Sequence, residues 1–186
     1  MKRIFDIILG AFALCLLLLP ILLLSVLMKL TSRGPVIYWS DRVGRDNILF
    51  RMPKFRTMIT ETPAVATHLM TDPDRYLTPI GKFLRRSSLD ELPQLYNILK
   101  GEMSFVGPRP ALFNQDDLIA LRTNKGIHKL VPGITGWAQI NGRDNLSIPV
   151  KVQYDEYYLQ HRSFSLDLII LWKTIYKVIK KDDITH

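Results

Sequence analysis

The feature that most constrains this chain is an apolar run without a charged residue at positions 7–28. As a straight helix its 22 residues would be about 33 Å long, which is enough to cross the hydrocarbon core of a bilayer. Three interpretations are open: a cleaved signal peptide, a helix that spans the bilayer, and a re-entrant helix that enters and leaves by the same face. The run is too long for a signal peptide, and no small-residue cleavage site follows it.

Two details favour the re-entrant helix over the spanning helix. Pro20 lies near the centre of the run, where it removes one backbone hydrogen bond and favours a kink. Basic residues flank both ends, so the positive-inside bias does not favour placing either end outside. These residues are Lys2, Arg3, Lys29 and Arg33. Proline is also tolerated in ordinary spanning helices, so the residues alone leave both topologies open.

Length, charge and cysteine content narrow the class of protein. A chain of 186 residues suits one domain better than two. The formal net charge of +8 favours a polyanionic partner, such as nucleic acid, anionic lipid or a phosphorylated substrate. The single cysteine, Cys15, excludes a disulfide within the chain and a zinc site built on several cysteines. Neither a P-loop nor a dinucleotide fingerprint occurs, so a bound nucleotide would be held by arginines and a divalent ion.

After the apolar run, the residue pattern predicts an α+β fold. Two short β-branched and aromatic segments at 36–40 and 48–52 predict a small hairpin. Residues 60–79 contain three prolines and predict an irregular loop, and 132–143 predicts a tight loop with a short strand. Helical spacing predicts helices at 80–86, 92–100, 113–125, 150–160 and 166–181. The last of these is amphipathic, and its apolar side would either pack on the domain core or lie in the membrane interface.

An adjacent acidic pair, Asp90 and Glu91, is the strongest candidate for chemistry. Both carboxylates fall at the predicted start of a helix, and Ser88 with Glu91 matches the capping-box pattern. Helix capping is therefore the favoured interpretation on spacing alone. The alternative is that one carboxylate acts as a nucleophile or a metal ligand, with nearby positive charge keeping Asp90 ionised.

Basic residues near glycine, proline or the acidic pair favour a catalytic role of the pair over helix capping. An arginine in a rigid loop can bind phosphate oxygens through two parallel hydrogen bonds. Each such residue taken singly is more typical of a solvated surface charge. Together, and beside a membrane segment, they predict a substrate with phosphate groups at the bilayer surface. The candidates are Lys54, Arg56, Arg85, Arg86, Arg109 and Arg143.

At these residues the chain resembles a known family, the monotopic phosphoglycosyl transferases, also called bacterial sugar transferases. The similar segments follow the family order and cover nearly the whole chain. They are KFRTM at 54–58, SLDELPQ at 88–94 with Asn97, MSFVGPRP at 103–110, PGITG at 132–136 with Gln139, Gly142 and Arg143, and then Tyr154, Asp155, Tyr157, Tyr158, Ser165 and Asp167.

The resemblance implies a complete activity. These enzymes transfer a sugar phosphate from a UDP-sugar to polyprenol (undecaprenyl) phosphate with release of UMP, the first membrane step of glycoconjugate assembly. Asp90 would be the nucleophile that forms a covalent phosphosugar intermediate, and Mg²⁺ would contact Asp90 and neutralise the diphosphate. Glu91 would orient the metal or assist proton transfer. The basic candidates and Gln139 would bind substrate, and nucleic acid is not expected as a partner.

The resemblance also implies an architecture. Residues 1–33 would form a re-entrant membrane helix with its flanks, and 34–186 one integrated catalytic domain on the cytoplasmic face of the bacterial inner membrane, with amphipathic helices packed at the membrane interface. One departure is the Leu19-Pro20 pair, because many relatives have Ser-Pro at the helix break. The oligomeric state stays open, with a homodimer among the alternatives. The sugar and the pathway are also not determined.

Two other functions compete with this one. A membrane-anchored basic module that binds anionic lipid or nucleic acid would explain the charge and the apolar run, but not the acidic pair. A glycosyl transferase with a spanning anchor would move the sugar without its phosphate. That enzyme would release a nucleoside diphosphate, so the identity of the product separates the two enzymes.

Overall fold

A long apolar helix, α1 (Lys2–Thr31), lies along one side of an α+β unit. The computed structural model describes residues 1–60, 62, 72–142 and 146–180. The 30 residues of α1 give a length of about 45 Å, and by length and composition the helix could cross a membrane. Residues on both sides of Pro20 are helical, so α1 continues as one helix through the position of the predicted kink.

Two small sheets lie beside this helix. The strands β1 (Ile37–Val43) and β2 (Leu49–Phe55) form an antiparallel hairpin, which confirms the predicted hairpin and extends both of its strands. A short strand, β4 (Ala111–Leu112), pairs with the other edge of β1. The strands β3 (Ser104–Val106) and β5 (Gly133–Thr135) form a separate parallel pair, which confirms the short strand predicted in the second loop.

Five helices lie within a few residues of their predicted positions, namely α2 (Gly81–Ser87), α3 (Leu95–Lys100), α4 (Asp116–Asn124), α6 (Ile148–His161) and α7 (Phe164–Lys180). A further short helix, α5 (Trp137–Ile140), lies in the segment that was predicted as a tight loop with a short strand. A 3₁₀ helix at Leu89–Gln94 precedes α3, and Gly101 ends α3 in the left-handed region at φ +96, as a helix C-cap predicts. Half of the predicted loop at 60–79 lies outside the described residues, and its described part contains a short 3₁₀ helix (Pro73–Tyr76).

One narrow stripe of α1 packs against the rest of the protein. Its residues alternate at intervals of four and three, which is the spacing of a helix packed along its whole length. In order they are Gly10, Leu14, Leu17, Ile21, Leu24 and Met28. The opposite face is apolar and more than half exposed at Phe12, Leu16, Leu19, Leu23 and Leu30. The helix therefore has one side facing protein and one side available to lipid.

Both ends of α1 are attached to the same folded unit. Near its start, the buried carboxylate of Asp6 accepts a hydrogen bond of 3.0 Å from the Ser104 hydroxyl. Lys2 forms an ion pair with Asp167 of α7 at 2.5 Å. Near its end, Met28 is only 2% exposed and belongs to a core cluster with residues of β2 and α2. The two ends of the helix therefore lie against one unit.

The apolar side of α7 is divided between core and surface. Ile170 is fully buried in the main core cluster. Ile169 and Ile175, which the pattern places on the same apolar side, are 48% and 60% exposed, and Trp172 is 66% exposed. The ring of Phe164 at the start of α7 contacts Phe5 of α1 edge to face. The starts of α1 and α7 therefore meet at this end of the molecule.

Candidate active site

Three segments distant in sequence meet around the acidic pair. The Glu91 carboxylate lies in the 3₁₀ helix, and its Oε1 accepts hydrogen bonds from Lys54 Nζ at 2.8 Å and from Arg109 Nη2 at 2.9 Å. Lys54 comes from β2 and Arg109 from the loop after β3. The predicted association of Asp90, Glu91, Lys54 and Arg109 is therefore present in the structure.

Asp90 differs from its neighbour in its contacts. Its side chain is 12% exposed, and its Oδ2 lies 3.9 Å from Lys54 Nζ. The Asp90 carboxylate accepts no hydrogen bond from the described residues. It thus keeps oxygen lone pairs available beside a cation that Glu91 has already oriented.

The capping interpretation of the pair is wrong. Ser88 adopts left-handed backbone angles, φ 56 and ψ 17, instead of the extended conformation of an N-cap residue. Its hydroxyl is buried and has no hydrogen-bond partner in the described part of the chain. The turn at Ser88 ends α2 and starts the 3₁₀ helix, so the adjacent acidic residues face Lys54 instead of capping a helix.

The two carboxylates are shifted in opposite directions. Burial raises the pKa of Asp90, and the positive charge of Lys54 opposes this only in part, while the charge of Glu91 adds to the increase. Burial would also raise the pKa of Glu91, but Arg109 and Lys54 outweigh it and hold that pKa well below its usual range. Lys54, Arg109 and Arg85 each lower the pKa of Asp90, as expected of nearby cations, but burial outweighs them.

The loop that carries Arg109 is held by backbone contacts. The Gly107 N–H donates to the Thr135 carbonyl at 2.8 Å, and the Gly133 N–H donates to the Pro108 carbonyl at 2.9 Å. A Cβ at Gly107 would lie 2.4 Å from a carbonyl oxygen of the facing segment, and one at Gly133 would lie 2.1 Å from the Gly107 nitrogen. Glycine is required at both positions because the two backbones touch.

A buried arginine that the sequence analysis did not identify fixes the same loop. Arg122 of α4 donates to the Arg109 carbonyl at 2.8 Å and to Asp155 Oδ2 of α6 at 3.0 and 2.6 Å. Asp155 is only 1% exposed. Its segment matched the family pattern, but no local pattern separates Arg122 from the other polar residues of α4. Only the fold brings Arg122, Asp155 and the Arg109 loop together.

The other predicted basic residues occupy different surroundings. Arg85 donates to the Thr57 hydroxyl at 2.9 Å, and its charge lowers the pKa of Asp90, so it belongs to the site. Arg56 is 6% exposed and bonds to Ser32 at 2.9 Å. Arg86 is exposed on α2, and the structure gives it no ion pair with the two carboxylates.

Two further predicted residues come from the second glycine-rich loop. Gln139 lies in α5, and its amide nitrogen and oxygen are buried without a hydrogen-bond partner in the described part of the chain. Its Oε1 would lie 2.8 Å from a Cβ placed at Gly136, so this amide packs directly beneath the loop. Arg143 lies outside the described residues.

The residues of the site fit a Mg²⁺ ion that is bound together with substrate. Mg²⁺ is commonly held by one or two carboxylates together with substrate phosphates and water. The described residues contain no group of three or more His, Cys, Asp or Glu side chains that could hold a metal ion without substrate. Asp90, with its free carboxylate oxygens, can provide the single protein ligand that such an arrangement needs.

Comparison with known proteins gives a consistent result over the whole chain. The family described as bacterial sugar transferase matches residues 1–181. The chain is 42% identical to an uncharacterized sugar transferase, EpsL, of Bacillus subtilis, over 99% of this chain and 90% of that protein. It is 40% identical to the UDP-glucose:undecaprenyl-phosphate glucose-1-phosphate transferase of Escherichia coli, over 95% of this chain and 40% of that protein.

A third relative is the UDP-galactose-lipid carrier transferase of Erwinia amylovora, which is 38% identical over 98% of this chain and 41% of that protein. The chain thus spans about two fifths of the length of the last two relatives. An apolar helix beside paired carboxylates and cations, together with these relatives, defines an enzyme of the transferase class. The chain belongs to the bacterial sugar transferase family, as the resemblance in its motifs predicts.

Proposed function

We propose that this protein transfers a sugar phosphate from a UDP-sugar to polyprenol phosphate and releases UMP. The named relatives from Escherichia coli and Erwinia amylovora act on UDP-sugars and lipid carriers, which supports both substrate classes. The observation that carries the mechanism is the unequal environment of the acidic pair. Glu91 is bonded to Lys54 and Arg109, whereas Asp90 has no hydrogen bond from the described residues.

Asp90 is the nucleophile in the proposed reaction. One of its carboxylate oxygens attacks the sugar-proximal phosphorus of the donor, and the bond between that phosphorus and the bridging oxygen breaks. UMP leaves with the bonding electron pair, and the sugar phosphate remains on Asp90. An oxygen of the lipid phosphate then attacks the same phosphorus, and the carboxylate of Asp90 leaves. The two transfers balance without an external oxidant or acid.

The cations around the pair lower the electrostatic barrier of both transfers. The donor diphosphate and the acceptor phosphate are both negative, so each repels an incoming carboxylate or phosphate oxygen. Lys54, Arg85 and Arg109 place positive charge at the transferring group, and Glu91 fixes two of them in position. Mg²⁺ bound at Asp90 would supply further charge neutralisation on the diphosphate.

The membrane arrangement in this proposal is monotopic. Both ends of α1 contact one folded unit, which supports placing both ends on the same side of the membrane. A cytoplasmic site fits the supply of UDP-sugar, and the lipid-facing side of α1 sets the depth of the site at the headgroups. The transfer would then be the first membrane step of polysaccharide or other glycoconjugate assembly.

The test of this function compares Asp90→Asn with Asp46→Asn. Both replace an aspartate by asparagine, but Asp46 lies in the exposed hairpin turn. With UDP-sugars, Mg²⁺ and polyprenol phosphate, we expect UMP from the unmodified protein and from Asp46→Asn, and a loss of turnover in Asp90→Asn. Donor alone should leave a phosphosugar adduct on Asp90, detected by mass spectrometry. Release of UDP, or near-normal turnover by folded Asp90→Asn, would refute the assignment.

A further inference from the structure

Arg56 is a buried cation whose hydrogen-bonding capacity is largely unused. Its side chain is 6% exposed, and its Nη2 donates to the Ser32 hydroxyl at 2.9 Å. Its Nε and Nη1 are buried and have no hydrogen-bond partner among the described residues. A buried guanidinium with unmade hydrogen bonds is costly, so such donors in native proteins call for an explanation. A bound anion would satisfy them.

The backbone around Arg56 is shaped to approach the guanidinium closely. Gly34 has φ +109, and a Cβ at this position would lie 2.7 Å from Arg56 Nη1. Ser32 is the residue that ends α1. The linker at 32–36 lies outside helix and strand, and it contacts the guanidinium through Ser32 and Gly34.

Arg56 lies beside the carboxylate pair without belonging to it. It follows β2 directly, two residues after Lys54, so the two Cα atoms are about 7 Å apart in extended chain. Lys54 contacts Glu91 and Asp90, whereas Arg56 forms no ion pair with either carboxylate. A phosphate at Arg56 would therefore be close to the transferring group but distinct from the donor's phosphates.

An exposed apolar surface of α1 ends beside Ser32, the residue that bonds to Arg56. Four side chains of the last turns of α1, just before Ser32, are exposed to between 44% and 79%. They are Leu23, Val26, Leu27 and Leu30. A ligand with a long apolar chain and a phosphate head would lay its chain on this surface and bring its head to the end of the helix.

We propose that Arg56, assisted by Ser32, binds the phosphate head of the lipid acceptor, while the donor occupies the cations around Asp90. This inference rests on the proposed function, because it assigns the second substrate of that reaction. It divides the basic residues by substrate: Lys54, Arg85 and Arg109 serve the donor, and Arg56 serves the acceptor.

The first test separates the two half-reactions in Arg56→Gln. Exchange of labelled UMP into UDP-sugar without acceptor reports the donor step alone, and we expect it to be retained. The KM for polyprenol phosphate should rise about tenfold to a hundredfold, as expected for the loss of one or two charge-assisted hydrogen bonds. The matched control is Arg51→Gln, which makes the same change at an exposed position of β2 and should alter neither quantity.

The second test measures binding without turnover. A short-chain polyprenyl phosphate should raise the thermal midpoint of the unmodified protein, whereas the alcohol without phosphate should not, and Arg56→Gln should lose the effect. Arg56→Gln without ligand should melt no lower than the unmodified protein, because it removes a buried charge with unmade hydrogen bonds. Should this variant fail to fold, Ser32→Ala provides a milder one, with a smaller rise in KM expected.

Three results would overturn this assignment. An equal loss of UMP exchange and of lipid transfer in folded Arg56→Gln would place Arg56 in the donor site. An equal stabilisation by phosphatidylglycerol, lost in the same variant, would make Arg56 a general headgroup contact. An unchanged KM and unchanged binding would remove the subsite. Absence of UMP exchange in the unmodified protein would instead contradict the covalent step of the proposed function, and the binding test would still decide on Arg56.

Discussion

Neighbouring carboxylates at positions 90 and 91 are used in different ways. The buried Glu91 carboxylate accepts hydrogen bonds from two cations, Lys54 and Arg109, and fixes their positions. Asp90 is similarly buried, but Lys54 lies 3.9 Å from its carboxylate without a hydrogen bond, so burial makes its ionised form less favoured. The same pair of side chains thus provides one fixed negative charge that organises the site and one carboxylate that is free to react.

This difference predicts the pH dependence of the reaction. Because the pKa of Asp90 is raised, acidification protonates its reactive carboxylate at a higher pH than it would protonate an ordinary aspartate. The acid limb of kcat/KM, which reports the enzyme before donor and Mg²⁺ bind, therefore lies above the usual aspartate range. Lys54 is the largest charge opposing the increase, so Lys54→Gln should move the limb to still higher pH. Measurement of kcat/KM against pH tests both statements.

The control for the pH profile is Lys100→Gln. Lys100 is also paired with a carboxylate, Glu102, but it is exposed at the end of α3. The acid limb of this variant should stay where it is in the unmodified protein. A limb that moves to lower pH in Lys54→Gln would contradict the electrostatic account of Asp90.

The sequence predicted this site in part. The acidic pair and the cations that surround it were identified, since their residue types and motifs are local. The carboxylate that accepts hydrogen bonds from the cations is determined by Lys54 and Arg109. These residues lie 37 and 18 positions away from Glu91. Residue spacing also does not predict the left-handed backbone conformation at Ser88, and for that reason the capping prediction failed.

At the scale of elements, the site depends on a pair of helices behind it. Arg122 on α4 and Asp155 on α6 form a buried ion pair, and the same guanidinium holds the carbonyl of Arg109. Burial raises the pKa of Asp155, and Arg122 opposes that increase. The position of the loop is therefore coupled to the packing of α4 against α6.

This coupling predicts the effect of Arg122→Gln. The change leaves the buried carboxylate of Asp155 without its cation, which should cost about 3–5 kcal/mol of unfolding free energy. It also frees the backbone that presents Arg109, so kcat/KM should fall by roughly tenfold to a hundredfold in protein that remains folded. Urea denaturation and steady-state kinetics measure the two effects.

An exposed ion pair near the same helices is the control. Lys125 and Glu156 are 38% and 30% exposed, so Lys125→Gln should cost about 0–1 kcal/mol and leave activity unchanged. The double variant Arg122→Gln/Asp155→Asn should recover part of the lost stability, because it removes the unpaired charge. Equal costs for Lys125→Gln and Arg122→Gln would show that burial of the pair does not matter.

At the scale of the whole molecule, the apolar helix is part of the fold, and by length and composition it could also cross a membrane. The α+β class and an apolar N-terminal helix were predicted from composition and periodicity. The packed stripe of α1 was not, since a helix apolar on all sides shows no contrast between a buried and an exposed face. Only the shape of the partner surface selects Gly10, Leu14 and Leu17 for packing.

The attachment of both ends of α1 to one unit predicts the topology in cells. In a Cys15→Ser background, a cysteine inserted after Met1 and, separately, Arg33→Cys mark the two ends of the helix. Both should react with a membrane-impermeant maleimide only after the cells are opened. Labelling of either end in intact spheroplasts would contradict the monotopic arrangement, and labelling of one end alone would indicate a spanning helix.

The ion pair between Lys2 and Asp167 joins residues 165 positions apart. The first turn of the anchor can therefore reach its final place only after nearly the whole polypeptide has left the ribosome. A nascent chain arrested before α7 would therefore carry an apolar segment whose docking surface is incomplete.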